Sequence, residues 1–178
     1  MLDNILKECQ TAWIKTKTKR NHAFRYFSLA TTAIDGTPET RMVVLRNFDA
    51  TDYHFTIYTD ARTPKMKSLH QQPSAELLFY DHKKLLQIRV KAVCIESRKD
   101  PDLFAQQHEG AQKDYTTSVA PGTPAKGMDQ VVYTEENHFT VLVFKAQSID
   151  YLRLKRPNHQ RAFFRRNEQR WEGTFLTP

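Results

Sequence analysis

Glycine is scarce in this chain. Five occur in 178 residues, at Gly36, Gly110, Gly122, Gly127 and Gly173, and no two complete GxGxxG or GxxxxGK[ST], since Gly122 and Gly127 are followed by Met128-Asp129 instead of Lys-Ser/Thr. Rossmann dinucleotide sites and Walker loops need clustered glycines to bring backbone against phosphate, so both are excluded. A nucleotide-like ligand would have to be held by side chains. Cysteine is scarcer still: Cys9 and Cys94 form no CxxC or Cys/His cluster, which argues against a disulfide scaffold or structural zinc and fits a reducing cytoplasm. The seven histidines show no HxH or HExxH spacing, so no metal site is expected. No apolar run approaches the ~18 residues that cross a bilayer. Residues 1–20 lack an apolar h-region with a small-residue cleavage site, which argues against secretion.

What the chain has in excess is positive charge: 27 Lys+Arg against 20 Asp+Glu, a formal +7. It is uneven. Arg153, Lys155, Arg156, Arg161, Arg165, Arg166 and Arg170 are opposed in their segment by Glu168 alone. Three readings compete: a nucleic-acid footprint, a solvated basic face, or a pocket for a small phosphorylated ligand. No helix-turn-helix, RNP or zinc-finger pattern accompanies the charge, so nucleic acid ranks last. The length fits one domain over residues 1–178. At 39% hydrophobic the core is lean, and a partner subunit could complete part of it.

Apolar residues at Leu2, Ile5, Leu6, Cys9, Ala12 and Trp13 predict an amphipathic helix over 2–16. Strand-like runs follow at 24–33 and 40–46, joined by an Asp35-Gly36 turn, and at 53–59. Thr63-Pro64 reads as N-cap and first helical position, and Gln71-Gln72-Pro73 stops that helix. Further strands are expected at 75–80, 85–96, 139–146, 149–154, 161–166 and 171–175, with a helix opening at Asp100-Pro101. Residues 111–136 read as a long loop. Sequential hairpins without alternating helices predict a mainly β fold, an antiparallel β-barrel with peripheral helices, closed on itself.

Four patterns carry chemistry: Arg41-Met42-Val43-Val44-Leu45-Arg46, Tyr58-Thr59-Asp60-Ala61-Arg62-Thr63-Pro64-Lys65, Gln87-Ile88-Arg89-Val90 and His159-Gln160-Arg161. Arg41 and Arg46, five apart on a strand, point to opposite faces. Thr63 with Lys65 in the first helical turn offers amides, a hydroxyl and an ammonium to one anion. Gln87 can both donate to and accept from a heterocycle. Each has a plainer reading. The arginines could pair with Glu39, Asp60 or Glu76; Thr63 could simply cap; Gln87 could be a surface strand residue; and His159 could be a solvent-exposed loop histidine.

The order and spacing of these patterns resemble the pyridoxamine 5′-phosphate oxidase superfamily of FMN-binding split β-barrels. Its Y-T-[ND]-x-x-S-x-K segment is similar to residues 58–65, and its Q-V-R-I strand to residues 87–90. The resemblance implies a homodimer with FMN at the subunit interface. Arg41, Thr63 and Lys65 would hold the phosphate, with Met42, Val43, Val44, Tyr58 and Thr59 along ribityl and ring. Arg46, Gln87 and Arg161 would also reach the cofactor, and Arg46, His159 and Arg161 are the substrate-contact candidates. The chain departs from the authentic oxidase in its substrate-phosphate clamp. Arg46 replaces a lysine, a Tyr/Arg/Ser helical set reads Leu103, Gln107 and Ala111, the first Arg of an R-x-H-D-R motif reads Pro157, and a cofactor-shell Trp falls at Leu152. Cofactor binding is therefore expected and vitamin B6 oxidation is not. The leading expectation is a cytoplasmic FMN-dependent oxidoreductase acting on an unidentified small molecule. The alternatives are a low-turnover flavin-binding or stress module, and a basic nucleic-acid-binding barrel.

Overall fold

The computed structural model describes residues 1–125, 127, 131–168 and 170–178; of the expected 111–136 loop, positions 126 and 128–130 lie outside them. Among the described residues nine strands follow one another: β1 (Tyr26–Thr32), β2 (Pro38–Val44), β3 (Asn47–Asp49), β4 (His54–Asp60), β5 (Ser74–Asp81), β6 (Leu86–Arg98), β7 (Phe139–Arg153), β8 (Gln160–Asn167) and β9 (Arg170–Phe175). The helices are α1 (Leu2–Lys15), α2 (Pro64–Gln71), α3 (Pro101–Ala105) and α4 (Glu109–Lys113). Two expectations are corrected. The runs at 139–146 and 149–154 form one strand, β7, which a bulge near Gln147 lets continue rather than break. The helix opened by Asp100 stops after five residues, and His108 caps a second short helix by accepting from the Ala111 amide.

The strands pair antiparallel in the order β2-β1-β5-β6-β7-β4-β3, with β8 on β7 and β9 on β8. The fifteen residues of β7 make this possible. One edge pairs with β6 along its length, while the other pairs with β4 from Phe139 to Lys145 and with β8 from Ser148 to Arg153. The expected closure of the ladder does not occur. Its two ends, β2 and β3, are consecutive in the chain, and the seam between them is crossed covalently. The Leu45 amide donates back to the Arg25 carbonyl (2.8 Å), and the Arg46 amide donates to Thr56 on the far side (2.9 Å). A chain that turns from one partner to the other within one residue cannot also ladder across the gap, so the barrel is split.

Inside lies an aromatic core. Trp13 brings the apolar stripe of α1 onto it, fully buried, with its ring 4.9 Å from Phe55 and 5.0 Å from Phe48. Phe27 and Phe79 stack at 4.7 Å. The helix is also tied polarly: Glu8 accepts from the Tyr151 hydroxyl (3.1 Å) and pairs with Arg153 (3.3 Å). Among the described residues, no helix is long and apolar enough to cross a membrane.

In β9, Gly173 permits a close approach. A Cβ there would stand 2.7 Å from the buried Phe164 ring. Gly173→Ala is expected to cost about 1–3 kcal/mol by overpacking, seen as a lower urea midpoint with an unchanged denaturant slope.

Candidate functional site

The hairpin turn sets the register that builds the first half of the site. Gly36 takes a left-handed φ of 85°, which places Thr31 opposite Glu39 and Leu29 opposite Arg41. Since opposed residues share a face and Leu29 is buried, Arg41 is on the inner side of the sheet. Its Nη1 donates to Thr31 Oγ1 (2.6 Å) and to the Leu29 carbonyl (3.3 Å), and Nη2 donates to Glu39 Oε2 (2.9 Å). The plain pairing with Glu39 is therefore real, and it orients the guanidinium. Ser68 of α2 also donates to Glu39 Oε2, at 3.4 Å.

Thr63 occupies the N-cap position of α2 but does not cap it. Its hydroxyl donates to the Asp60 carbonyl (2.8 Å), leaving the first turn without a side-chain acceptor. Lys65 reaches back: Nζ lies 2.8 Å from Thr59 Oγ1 and 3.0 Å from Thr63 Oγ1. Among the described residues no carboxylate comes within 4 Å of that ammonium. Asp60, buried nearby, is taken in a two-point pair by Arg62, at 3.1 and 2.7 Å. Burial, and after it repulsion from Arg41, brings Lys65 down to about 8. Two cations, two hydroxyls and an uncapped helix start thus converge without an internal anion for Lys65. Such a cradle suits a phosphate.

Arg46 emerges beyond the seam. Its guanidinium stands 5.1 Å over the Tyr58 ring, a cation–π arrangement, and its Nε is buried without an acceptor. Burial raises the Tyr58 and Tyr115 phenols, and the charge of Arg46 opposes that rise in both. Around this pair lie Tyr115, Phe139, Val141 and Val143, with Leu103 and Phe104 against them. Leu103 is thus packing material, and the Gln107 amide donates to the Leu103 carbonyl (2.9 Å). No polar clamp forms from Leu103, Gln107 and Ala111.

The other predicted residues are not brought to the cradle. Gln87 is aligned with Tyr80 on one side and Leu152 on the other, and Leu152 with Arg161. Because Leu86 and Ile88 are buried, this row is on the outside of the sheet. Asp150 holds Arg161 there, accepting from Nε (3.2 Å) and Nη2 (2.9 Å), and also takes Arg89 at 2.5 Å. Burial pushes the Asp150 carboxyl up, but the bonds from Arg161 and Arg89 outweigh it and leave it below the usual range. Met42 and Val44 are in register with Ser28 and Tyr26 on the same outer surface, whereas Val43 sits opposite buried Phe27. His159 accepts from the Lys155 amide at 3.1 Å in an exposed turn, the plain reading of that residue. Thr31, Ser68, Tyr115 and Asp150 were not singled out from sequence. Thr31 is recoverable from the register implied by the Asp35-Gly36 turn, while the other three had no local signal.

The basic segment does not act as one stripe. Arg153 is paired with Glu8, Arg161 with Asp150, and Arg166 with Asp52 (3.3 Å) and the Asp52 carbonyl. A continuous nucleic-acid footprint is correspondingly weakened.

Residues 7–95 match the family model of the pyridoxamine 5′-phosphate oxidase, FMN-binding domain. A pyridoxine/pyridoxamine 5′-phosphate oxidase of Salinibacter ruber is 31% identical over 134 residues, which cover 74% of this chain but only 58% of that protein. Two solved structures share the fold. A pyridoxamine 5′-phosphate oxidase-related, FMN-binding protein from Nostoc punctiforme superposes with a TM-score of 0.80 at 23% identity, over 97% of this chain and 96% of that one. PhzG from Burkholderia lata, solved in complex with tetrahydrophenazine-1-carboxylic acid, gives 0.76 at 15% identity, over 97% and 92%.

Lys65 dictates a pH dependence. Its ammonium is disfavoured by the fold, so without an anion beside it stability rises as pH climbs from about 8 toward 10.5. Anion affinity moves oppositely, because deprotonation removes the attracting charge. Calorimetric titration with inorganic phosphate, a dianion throughout this range, is expected to show affinity falling above about pH 8, by at most about ten-fold per unit. Lys65→Met should bind weakly with a flat profile.

Proposed function

Since the chain belongs to the pyridoxamine 5′-phosphate oxidase FMN-binding family, we propose that it is an FMN-dependent oxidoreductase acting as a homodimer on a small molecule other than a vitamin B6 phosphate. The observation carrying this reading is the Lys65 ammonium, held by Thr59 and Thr63 beside Arg41, with no carboxylate within 4 Å among the described residues. That donor set fits the FMN phosphate, a dianion, and needs no glycine loop. Lys65, Arg41, Thr59 and Thr63 would bind it, with the strand from Met42 to Val44 and Tyr58 alongside the rest of the cofactor. When bound, FMN supplies the electron chemistry by accepting and releasing a pair of electrons at its ring.

The division of the site supports the dimer. Arg41 is on the inner side of β2, whereas Gln87 and Arg161 are on the outer side of β6 and β8. β6 also stands three strands from β2, and the two faces look away from each other, which disfavours one chain presenting both sets to one flavin. A second copy would bring its Gln87 and Arg161 to the cradle. The same outer surface exposes Met42, Tyr26 and Tyr80, each at least half accessible, as an apolar patch for association.

On the substrate side, Arg46 is the cation this chain offers. It has no carboxylate within 4 Å among the described residues, and the aromatic wall beneath it dehydrates and orients whatever it binds. With no Tyr/Arg/Ser clamp, a phosphate ester would lose several charge-assisted bonds of about 1.5–3 kcal/mol each, which disfavours vitamin B6 phosphates. His159, engaged in its own turn, is left out of the substrate set.

Purified protein is expected to be yellow, or to become so with FMN, and to sediment as a dimer. Lys65→Ala and Arg41→Ala should each weaken FMN binding about ten- to hundred-fold in a fluorescence-quenching titration. A chain that stays colourless with added FMN would sink the reading.

A further inference from the structure

A groove of about 740 Å³ opens on the outer surface where β4 and β8 leave β7 in opposite directions. Lys91 of β6 and Arg165 of β8 are both in register with Ser148 between them, so all three share one face. Two strand spacings, about 10 Å, separate the Lys91 and Arg165 backbones, well within the joint reach of the two side chains. Lys145, on the other side of the bulged Gln147 in β7, also lines the groove. None of these three cations has a carboxylate within 4 Å among the described residues. Glu76, aligned with Lys91, instead points to Arg89 at 3.9 Å, and Arg166 on the rim is committed to Asp52. Glu168 is the carboxylate that lines the groove, and among the described residues it has no cation within 4 Å. Phe163, two residues before Arg165 and on the same face, adds a half-buried ring beside the charges.

Cations delivered by three strands to one groove, left without internal partners beside an aromatic face, make a site for an anion with a flat body. We propose that this groove binds a phosphate ester carrying a planar ring, a ligand of mononucleotide size, separately from the flavin cradle. The volume falls in the usual range for small-molecule sites, roughly 300–1,000 Å³. Lys91 is four residues along β6 from Gln87, about 13 Å, and on the face opposite Arg41. The phosphate sits over Ser148 between Lys91 and Arg165, with Lys145 behind it, and the ring lies along Phe163. This divides the segment's charge: some of it neutralises Glu8, Asp150 and Asp52, and Arg165 serves a ligand.

The test is calorimetric titration of the protein, loaded with FMN and in its solution assembly, with AMP, adenosine, inorganic phosphate and a ten-residue oligothymidylate. AMP is expected to bind once per chain and more tightly than adenosine or phosphate alone. Lys91→Glu and Arg165→Glu should each weaken it about ten-fold or more, with flavin absorbance and sedimentation unchanged. Lys145→Gln, the milder change, should weaken it less, and Phe163→Ala should make AMP bind no better than phosphate. The proposal is overturned if AMP does not bind or binds no better than its fragments. It is equally overturned if the charge reversals leave AMP affinity intact, or if they shift the assembly state, since the groove is then a subunit contact. Tighter, steeply salt-dependent binding of the oligonucleotide would reassign the surface to nucleic acid.

Discussion

Everything distinctive in this molecule depends on two adjacent amides that donate in opposite directions. Leu45 bonds back to Arg25, just ahead of β1, the partner of the strand the chain has left, and Arg46 bonds forward to Thr56 of β4, the partner of the strand it is about to form. That reversal splits the barrel and separates the two arginines of the Arg41-to-Arg46 run. Arg41 stays inside with Thr31, Glu39 and the start of α2, while Arg46 is delivered to the aromatic wall of Tyr58. A regular strand would carry both residues along one ladder, with no seam to receive a ligand.

Cradle and wall are linked through β4. Tyr58 faces outward under Arg46, and the next residue, Thr59, turns its hydroxyl to Lys65. Alternation along two residues of one strand therefore sets the relation between the proposed phosphate subsite and the proposed substrate-side cation. Asp60 then ends the strand by binding Arg62, which also donates to Thr117 at 3.1 Å. The segment that follows α4 is thereby anchored to the same strand end.

Much of this was legible in the sequence because it is local. The α1 stripe, the Asp35-Gly36 hairpin and the Thr63-Pro64 helix start rest on periodicity and turn chemistry. The Thr59, Thr63 and Lys65 cluster spans seven residues. What could not be read depends on pairings distant in the chain. That Asp150 would collect both Arg89 and Arg161, 61 and 11 residues away, follows from the register of three strands. The open ladder and the fork of β7 were hidden for the same reason: composition shows a strand but not which edge is left for whom. The Thr63 hydroxyl illustrates a smaller limit. Its residue type suits a cap, yet the Asp60 carbonyl competes for it and wins.

The docking of α1 carries a consequence for how the chain acquires its shape. Its Trp13 fills the barrel, and its Glu8 is bonded to Tyr151 across 143 residues of chain. α1 is made before β7, so its polar tie to Tyr151 waits until that strand has emerged, although Phe48, Phe55 and Phe79 reach Trp13 earlier. The barrel's interior cannot be sealed in the order in which it is synthesised. α1 and the strands β7 and β8 complete the core together, so the route to this fold is governed by its most distant contacts.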